Sequence, residues 1–152
     1  MQRRELLVLA AAAPVAALMA CAQTPPPATP LDGTDWLLVE LPGQVLPTAA
    51  GGVQRPSLRI AGDPPRVFGN TAVNNFVGTA QFDAAGALRF GALATTRRGG
   101  PPAAMQVETA YLAVLERVRG YRTGAGTLEL LDGAGQAVAR FALAGSAATT
   151  PR

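Results

Sequence analysis

Two short groups of polar residues have the types and spacing to form a site. Asn74 and Asn75 are adjacent, and each amide can both donate and accept hydrogen bonds, which would suit a polar ligand. Thr96 and Arg97 form the second group, and Arg97 could form an ion pair with Glu108 that pins a helix to a sheet. Asparagine also shapes turns by binding neighbouring backbone amides. The sequence therefore favours a structural role for both groups over a binding role.

The residues needed for most familiar catalytic chemistry are missing. The chain has no histidine, and Cys21 is its only cysteine. Nucleophiles activated by histidine, zinc clusters and an intramolecular disulfide are therefore excluded. We predict that the protein needs neither a metal nor a cofactor and is not an enzyme. Hydrolysis by paired carboxylates stays an alternative, although the acidic residues cluster at no recognised spacing.

Cys21 follows a leader that has the three parts of an export signal. Two arginines precede an apolar stretch over residues 6–19, which is too short to span a membrane comfortably. Leu18-Met19-Ala20-Cys21 then resembles a lipobox, because an aliphatic residue stands three positions before the cysteine and a small residue directly before it. The sequence predicts a signal peptide over residues 1–20 and lipid on Cys21. The two arginines loosely resemble a twin-arginine export signal, and an ordinary signal is the alternative.

The lipid on Cys21 predicts where the protein is located. Lipid on both the thiol and the amine adds more than one acyl chain, which anchors a protein stably to a membrane. Residues 21–30 would then be a Pro-rich tether of extended conformation, and residues 146–152 a flexible tail. We expect a place in the bacterial cell envelope. The residue after the cysteine is Ala22 and not an aspartate, which resembles an outer-membrane sorting pattern. We therefore expect the protein at the outer membrane, facing the periplasm, if the cell is Gram-negative.

The body of the chain, residues 31–145, is predicted to be one β-rich domain. Short apolar runs alternate with Gly, Pro and Asp, which is typical of antiparallel strands joined by tight turns. The predicted strands are 36–41, 57–61, 66–69, 75–83, 87–93, 121–123, 127–131 and 137–144. Alternation within the strands predicts an inner face made of Trp36, Phe76, Gly78, Ala80, Phe82, Leu88, Phe90, Leu128, Leu130, Phe141 and Leu143. Arg89 is predicted to face outward.

One segment has the period of a helix. Between residues 102 and 119 five apolar residues recur at intervals of four, three, one and three, namely Val107, Tyr111, Val114, Leu115 and Val118. Gly120 stands where a left-handed C-terminal cap belongs, and Arg117 and Arg119 complement the negative end of the helix dipole. We therefore predict a mainly β (α+β) domain. A curved antiparallel sheet of about seven or eight strands approaches a small barrel, with one covering helix.

The order of these segments resembles the META domain, a module of bacterial envelope lipoproteins, over residues 31–143. The central signature of that family, Gly-Cys-Asn-x-Phe-x-Gly, is similar to residues 72–78, where Asn74, Phe76 and Gly78 match. A Thr-rich segment and a helix with an early glutamate follow in the family, and here Thr95-Thr96-Arg97 and Glu108 resemble them. The opening segment Leu31-Asp32-Gly33-Thr34-Asp35-Trp36 is also similar.

The chain departs from the family pattern at two positions. The signature cysteine is replaced by Val73, and a later cysteine is replaced near Gly99-Gly100. If those cysteines pair in relatives, this chain lacks the link and must depend on packing. The resemblance implies a small exported domain with no established enzymatic activity, associated in some members with stress response or antibiotic tolerance.

Three hypotheses for function follow. The first is a non-enzymatic envelope lipoprotein that binds, inhibits or scaffolds another envelope component, with the Gly- and Pro-rich segments 45–54 and 97–102 as the places for a partner. The second is a lipocalin-like carrier of a small apolar ligand, and the third is an envelope hydrolase that uses carboxylates. Nucleic acid is not an expected partner, because the 13 basic residues, all of them arginine, are scattered along the chain.

Overall fold

Short alternating runs bounded by glycine and proline become the strands of one sheet. The computed structural model describes residues 27–83 and 86–145. Within them the chain forms nine strands and one helix: β1 Asp35–Glu40, β2 Ser57–Ala61, β3 Arg66–Asn70, β4 Asn75–Phe82, β5 Leu88–Phe90, β6 Ala94–Thr95, α1 Pro102–Arg117, β7 Gly120–Thr123, β8 Thr127–Leu131 and β9 Ala137–Leu143. The predicted leader, the lipid on Cys21 and the tail 146–152 lie outside the described residues. In the part of the chain that is described, no helix is both long and apolar enough to cross a membrane.

The sheet is antiparallel and almost closes on itself. Eight strands follow one another in the order β5, β4, β3, β2, β1, β9, β8, β7, and the short β6 pairs with β4 beside this path. The two ends of the path meet where the backbone N–H of Leu88 donates to the carbonyl of Arg119 at 3.3 Å. The predicted fold, a mainly β domain with a curved antiparallel sheet approaching a small barrel and one helix, is confirmed.

The inner face follows the predicted alternation, with one exception and one shortened strand. Trp36, Phe76 and Phe141 are buried, as are Leu128 and Leu130. The side chain of Phe82 is 42% exposed, because it stands at the last position of β4, where the strand leaves the core. The predicted strand 87–93 is shortened to β5, and the short strand β6 begins at Ala94, beyond the predicted end.

Helix α1 fills the inside of the barrel with its apolar face. Tyr111 is completely buried, and its ring packs on Phe76 at a centroid distance of 5.9 Å and on Phe141 at 6.2 Å. Its hydroxyl donates to the carbonyl of Ser57 at 3.1 Å. Burial raises the pKa of Tyr111 well above its usual 10.0. The helix face predicted from the sequence is thus a packing face.

The predicted end of the helix is wrong in its detail. Gly120 does not cap α1, since the helix ends at Arg117 and Val118 already has an extended backbone, with φ −59° and ψ 132°. Gly120 instead begins β7. The guanidinium of Arg119 donates to the carbonyls of Glu116 and Val118 at 2.9 and 2.7 Å, so a side chain satisfies the carbonyls that a glycine cap would have satisfied.

The up-and-down order of the strands gives the barrel two distinct ends. The terminal end carries the β2–β3, β4–β5 and β7–β8 connections together with both ends of the described domain. Thr29 is fixed there, because its backbone N–H donates to Gly124 at 2.9 Å and its hydroxyl accepts from the N–H of Gly126 at 2.8 Å. The loop end carries the β1–β2, β3–β4, β6–α1 and β8–β9 connections.

Candidate functional site

The β3–β4 connection at the loop end is a buried four-residue turn closed by its own polar groups. The backbone N–H of Thr71 donates to the carbonyl of Asn74 at 2.8 Å, and the N–H of Asn74 donates to the Thr71 hydroxyl at 3.2 Å. Between them Ala72 is completely buried and has a φ of 105°, a conformation that favours glycine. Asn70 holds this strained residue, because its side-chain carbonyl accepts from the N–H of Ala72 at 2.8 Å.

Glu108 reaches this turn from α1. Its side chain is on the buried face of the helix, where only 9% of the residue is exposed. One carboxylate oxygen lies 2.5 Å from the Thr71 hydroxyl, and the side-chain amide of Asn74 donates to both oxygens at 3.0 Å. A carboxylate that is taken out of water is thereby given several hydrogen bonds, which is the condition for keeping such a group inside a protein.

Asn74 also holds a third segment, the connection between β6 and α1. Its side-chain carbonyl accepts from the Thr96 hydroxyl at 2.8 Å and from the backbone N–H of Arg98 at 2.6 Å. Its amide donates to the carbonyl of Arg98 at 3.0 Å. Asn74 is therefore the centre of a network that joins the β3–β4 turn, the helix and the β6–α1 connection. We call Thr71, Asn74, Thr96 and Glu108 the Asn74 network.

Four of the five predicted site residues come together, and Arg97 does not. Asn75 joins the edge of the network, since its backbone N–H donates to the Thr96 hydroxyl at 3.1 Å and its side chain accepts from Asn70 at 2.9 Å. The expected ion pair between Arg97 and Glu108 is absent from the described part of the chain. Neutral donors already occupy both oxygens of Glu108 inside the fold, whereas Arg97 is exposed.

The sequence reasoning missed Thr71 and the backbone of Arg98. Thr71 directly precedes the segment 72–78 that resembles the family signature, but neither its position nor its type indicates contact with a helix residue 37 positions later. Arg98 takes part only through its peptide groups, which leave no trace in residue type. Thr71 and Asn74 are 0% and 1% exposed and Glu108 is 9% exposed, so of the four members only Thr96 reaches the surface. The buried part of the network fixes three chain segments.

The two segments expected to hold a partner meet on the surface above this network. A groove of about 260 Å³ is lined on one side by Gly51, Gly52 and Val53, and on the other by Arg98, Gly99, Gly100 and Pro101, with Val73 also in its wall. A second groove of about 460 Å³ shares Gly51–Val53 and continues to Arg55 and Leu37. The loop end thus has a bipartite surface groove, which we call the loop-end groove.

Carboxylates are dispersed over the rest of the surface. Asp35 pairs with Arg59 at 3.0 Å, and Arg140 pairs with Glu40 at 2.8 Å and with Glu129 at 2.9 Å. None of five well-formed surface grooves on the described residues is lined by two acidic side chains. In the same residues, acidic side chains gather nowhere in a group of three that could hold a metal ion.

The architecture defines the class of protein first: a nearly closed antiparallel barrel plugged by one helix, with a helix carboxylate locked onto the β3–β4 turn. The family model of the META domain matches residues 29–145, and the chain belongs to that family. Its fold is similar to an NMR structure of a protein from Burkholderia xenovorans, with 23% identity over 80% of this chain and 92% of that chain and a TM-score of 0.58. A second NMR structure is 19% identical over 75% of this chain and 92% of the other, also with a TM-score of 0.58. None of the curated proteins matches the chain.

Proposed function

We propose that this META-domain protein is a lipid-anchored, non-enzymatic protein of the bacterial envelope that binds another envelope component through the loop-end groove. The observation that carries the proposal is the arrangement of the two ends. The chain comes from Cys21 to Thr29 at the terminal end, and the groove lies at the opposite end, above the Asn74 network. A membrane anchor on Cys21 would therefore leave the groove directed away from the lipid surface, facing the periplasm if the cell is Gram-negative.

Two alternatives are supported less well. A lipocalin-like carrier needs an interior volume for its ligand, whereas the side chains of Trp36, Tyr111 and Phe141 occupy the middle of this barrel. A carboxylate hydrolase needs two acids that face each other across a cleft, and each of the five grooves named above offers one acid at most. A binding module needs only a fixed surface, which the loop end provides.

The anchoring half of the proposal is tested on Cys21. Cells that express the full chain are fed a radiolabelled fatty acid, and the protein is then followed through membrane fractionation. The parent should carry the label and sediment with membranes, whereas Cys21→Ser should carry none and appear in the soluble envelope fraction. Equal labelling and equal sedimentation of both proteins would contradict a lipid on Cys21.

The binding half is tested by photo-crosslinking in native envelopes. A photoreactive amino acid at Gly99, in the loop-end groove, should give a discrete adduct whose partner is identified by mass spectrometry. The same group at Gln81, an exposed residue on β4 away from this groove, serves as the control and should give none of that adduct. Identical adducts from both positions would mean that the loop end is not the binding surface.

A further inference from the structure

The ten arginines of the described residues divide into two groups by what their side chains contact. Six are engaged: Arg59, Arg117, Arg122 and Arg140 in ion pairs, Arg119 on helix carbonyls and Arg66 over the ring of Phe68. Four side chains have no such contact within the described residues, namely Arg55, Arg89, Arg97 and Arg98. Three of these four lie on only two connections, both at the loop end.

Those two connections carry no compensating acid. Arg55 is the only charged residue within 41–56, and Arg97 and Arg98 are the only ones within 96–101. The acid of the neighbouring β8–β9 turn, Asp132, is already engaged, because it lies 3.9 Å from Arg117 and accepts the backbone N–H groups of the turn. The surface around the groove is therefore positively charged, and an anionic partner would be complementary to it.

The groove is also open to a close approach at Gly99. This glycine has an ordinary φ, and a Cβ placed on it would meet no atom within 4 Å. Nothing in the fold therefore requires a glycine there. A Cβ placed on Gly51 or Gly52, on the opposite wall, would likewise meet no atom within 4 Å. At these three glycines no side chain stands in the way of a partner backbone that passes between the two walls in an extended form, one of the forms in which peptides are recognised.

The Asn74 network fixes Arg98 in place before a partner arrives. The side chain of Asn74 binds both the N–H and the carbonyl of Arg98, and Glu108 in turn holds the amide of Asn74. A groove wall that is already ordered loses less conformational entropy on binding. The buried network thus has a consequence at the surface, since it fixes the backbone of Arg98 in one wall of the groove.

We infer that the loop-end groove binds an extended acidic segment of a partner polypeptide, with carboxylates on Arg55 and Arg98 and the peptide backbone passing Gly99. The inference rests on the proposed binding function and names the chemistry of its partner. A lipid surface fits less well, because the chain leaves toward Cys21 from the opposite end of the barrel. Nucleic acid fits less well too, since three arginines on two connections form no stripe that would follow a phosphate backbone.

The test selects ligands without assuming their sequence. Phage-displayed random 12-residue peptides are panned against the purified full chain, and selected peptides are resynthesised with fluorescein for anisotropy titrations. We expect peptides with two or more Asp or Glu residues, whose affinity falls as salt is raised. Recovery of neutral or basic peptides, or of none above background, would overturn the inference.

Matched variants show whether the groove is the site. Arg55→Ala/Arg98→Ala and Gly99→Leu should each weaken peptide binding about tenfold or more, because the first removes two charge-assisted contacts and the second blocks the passage. Arg89→Ala removes an equally unpaired arginine outside the groove, and Gly133→Leu alters another loop-end glycine; both should stay within about twofold of the parent. Equal losses in the controls would mean that binding follows overall charge, which overturns the inference.

Two further measurements separate the inference from the proposed function. If vesicles containing phosphatidylglycerol bind the chain with the same dependence on Arg55 and Arg98, the partner is a lipid and the inference is wrong. If the Gly99 crosslink in envelopes persists unchanged in Arg55→Ala/Arg98→Ala, the binding function stands while recognition of an acidic segment fails.

Discussion

The interior of the barrel and its loop end are held together by different forces. The interior is apolar packing, in which Trp36, Tyr111 and Phe141 contact many neighbours and no single contact is essential. The loop end depends on the Asn74 network, in which the polar groups of Thr71, Asn74 and Glu108 are buried and each is satisfied by a specific partner. Removal of one member leaves the others unpaired in a dry environment, and that cost is larger than the bond itself contributed.

The contrast explains how a chain without a disulfide or a metal site in its described residues keeps long connections in place. Apolar packing fixes strands and helix, but the connections at the loop end are rich in glycine and proline and have little to bury. Hydrogen bonds of the Asn74 side chain hold the β6–α1 connection where a hydrophobic contact would be weak, and Glu108 in turn accepts from the amide of Asn74. Each of the five predictions below tests one side of this contrast.

The largest effect is expected in the interior. Phe141→Ala should lower the free energy of unfolding by about 3–5 kcal/mol, because it removes a ring that is 1% exposed and leaves a cavity beside Tyr111. Phe76→Ala is expected in the same range. Denaturant unfolding of the purified chain measures both. Arg89→Ala, on the outer face of β5, is the control and should change stability by no more than about 0.5 kcal/mol. A control that proves worse than Phe141→Ala would refute the assigned strand register.

The second largest effect is expected from a disulfide introduced at the loop end. A Cβ built on Gly100 lies 3.4 Å from the Cβ of Val73, close to the separation of about 3.5–4.5 Å in disulfides. Val73→Cys/Gly100→Cys in a Cys21→Ser background should therefore oxidise and stabilise the domain by about 3 kcal/mol, since the bond closes the loop 73–100 in the unfolded chain. Unfolding with and without reductant measures the gain, and Val73→Cys alone is the control. An oxidised form no more stable than the reduced one would mean that the bond strains the folded loop end, and that positions 73 and 100 do not have the geometry assigned to them.

Glu108→Gln tests the network itself. In the glutamine an NH₂ group replaces one of the two accepting oxygens. This donor then faces another donor, either the hydroxyl of Thr71 or the amide of Asn74. We expect a loss of about 1–3 kcal/mol in unfolding free energy. Glu116→Gln makes the same chemical change at an exposed position of α1 and should leave stability unaltered within about 0.5 kcal/mol. Equal effects of the two variants would show that the network does not stabilise the loop end.

The strands that enclose the interior could be predicted from the sequence, whereas the contacts of the Asn74 network could not. The strands Ser57–Ala61 and Thr127–Leu131 agree with their predicted bounds, because alternation and turn residues are local signals. The network depends on contacts between residues 22–37 positions apart, and one of its partners is a backbone. Local patterns hold no information on such contacts, which is why Arg97 was expected in the place that Thr71 and Asn74 occupy.

Tyr111, in the interior, makes the free energy of unfolding depend on pH. The pKa of its phenol is raised by burial, so the folded chain keeps this proton at a pH where the unfolded chain, with a tyrosine pKa near 10, loses it. The contribution of the protonated phenol to the free energy of unfolding is fully present below pH 10 and declines as the pH rises above it. Tyr111→Phe should remove this part of the alkaline decline and cost about 1 kcal/mol at neutral pH through the lost hydrogen bond to Ser57. Unfolding curves between pH 7 and pH 11 measure both effects. An unchanged alkaline slope in Tyr111→Phe would assign the decline to other groups.

The smallest effect is expected at Ala72, where the loop end stores strain. A φ of 105° costs an alanine on the order of 1–3 kcal/mol, and Ala72→Gly removes that cost. Against it stand the greater entropy of glycine in the unfolded chain, about 0.5–1 kcal/mol, and the loss of one buried methyl, about 0.8 kcal/mol. The net change should be a gain of a few tenths of a kcal/mol, up to about 1.

Ala80→Gly is the matched control, because Ala80 is equally small and buried but lies in β4 with a negative φ. It carries the same two costs without strain relief and should lose about 1–2 kcal/mol. Equal losses in the two variants would mean that Ala72 is not strained, and the hydrogen bond from its N–H to Asn70 would then be an ordinary turn contact and not a restraint on a strained residue.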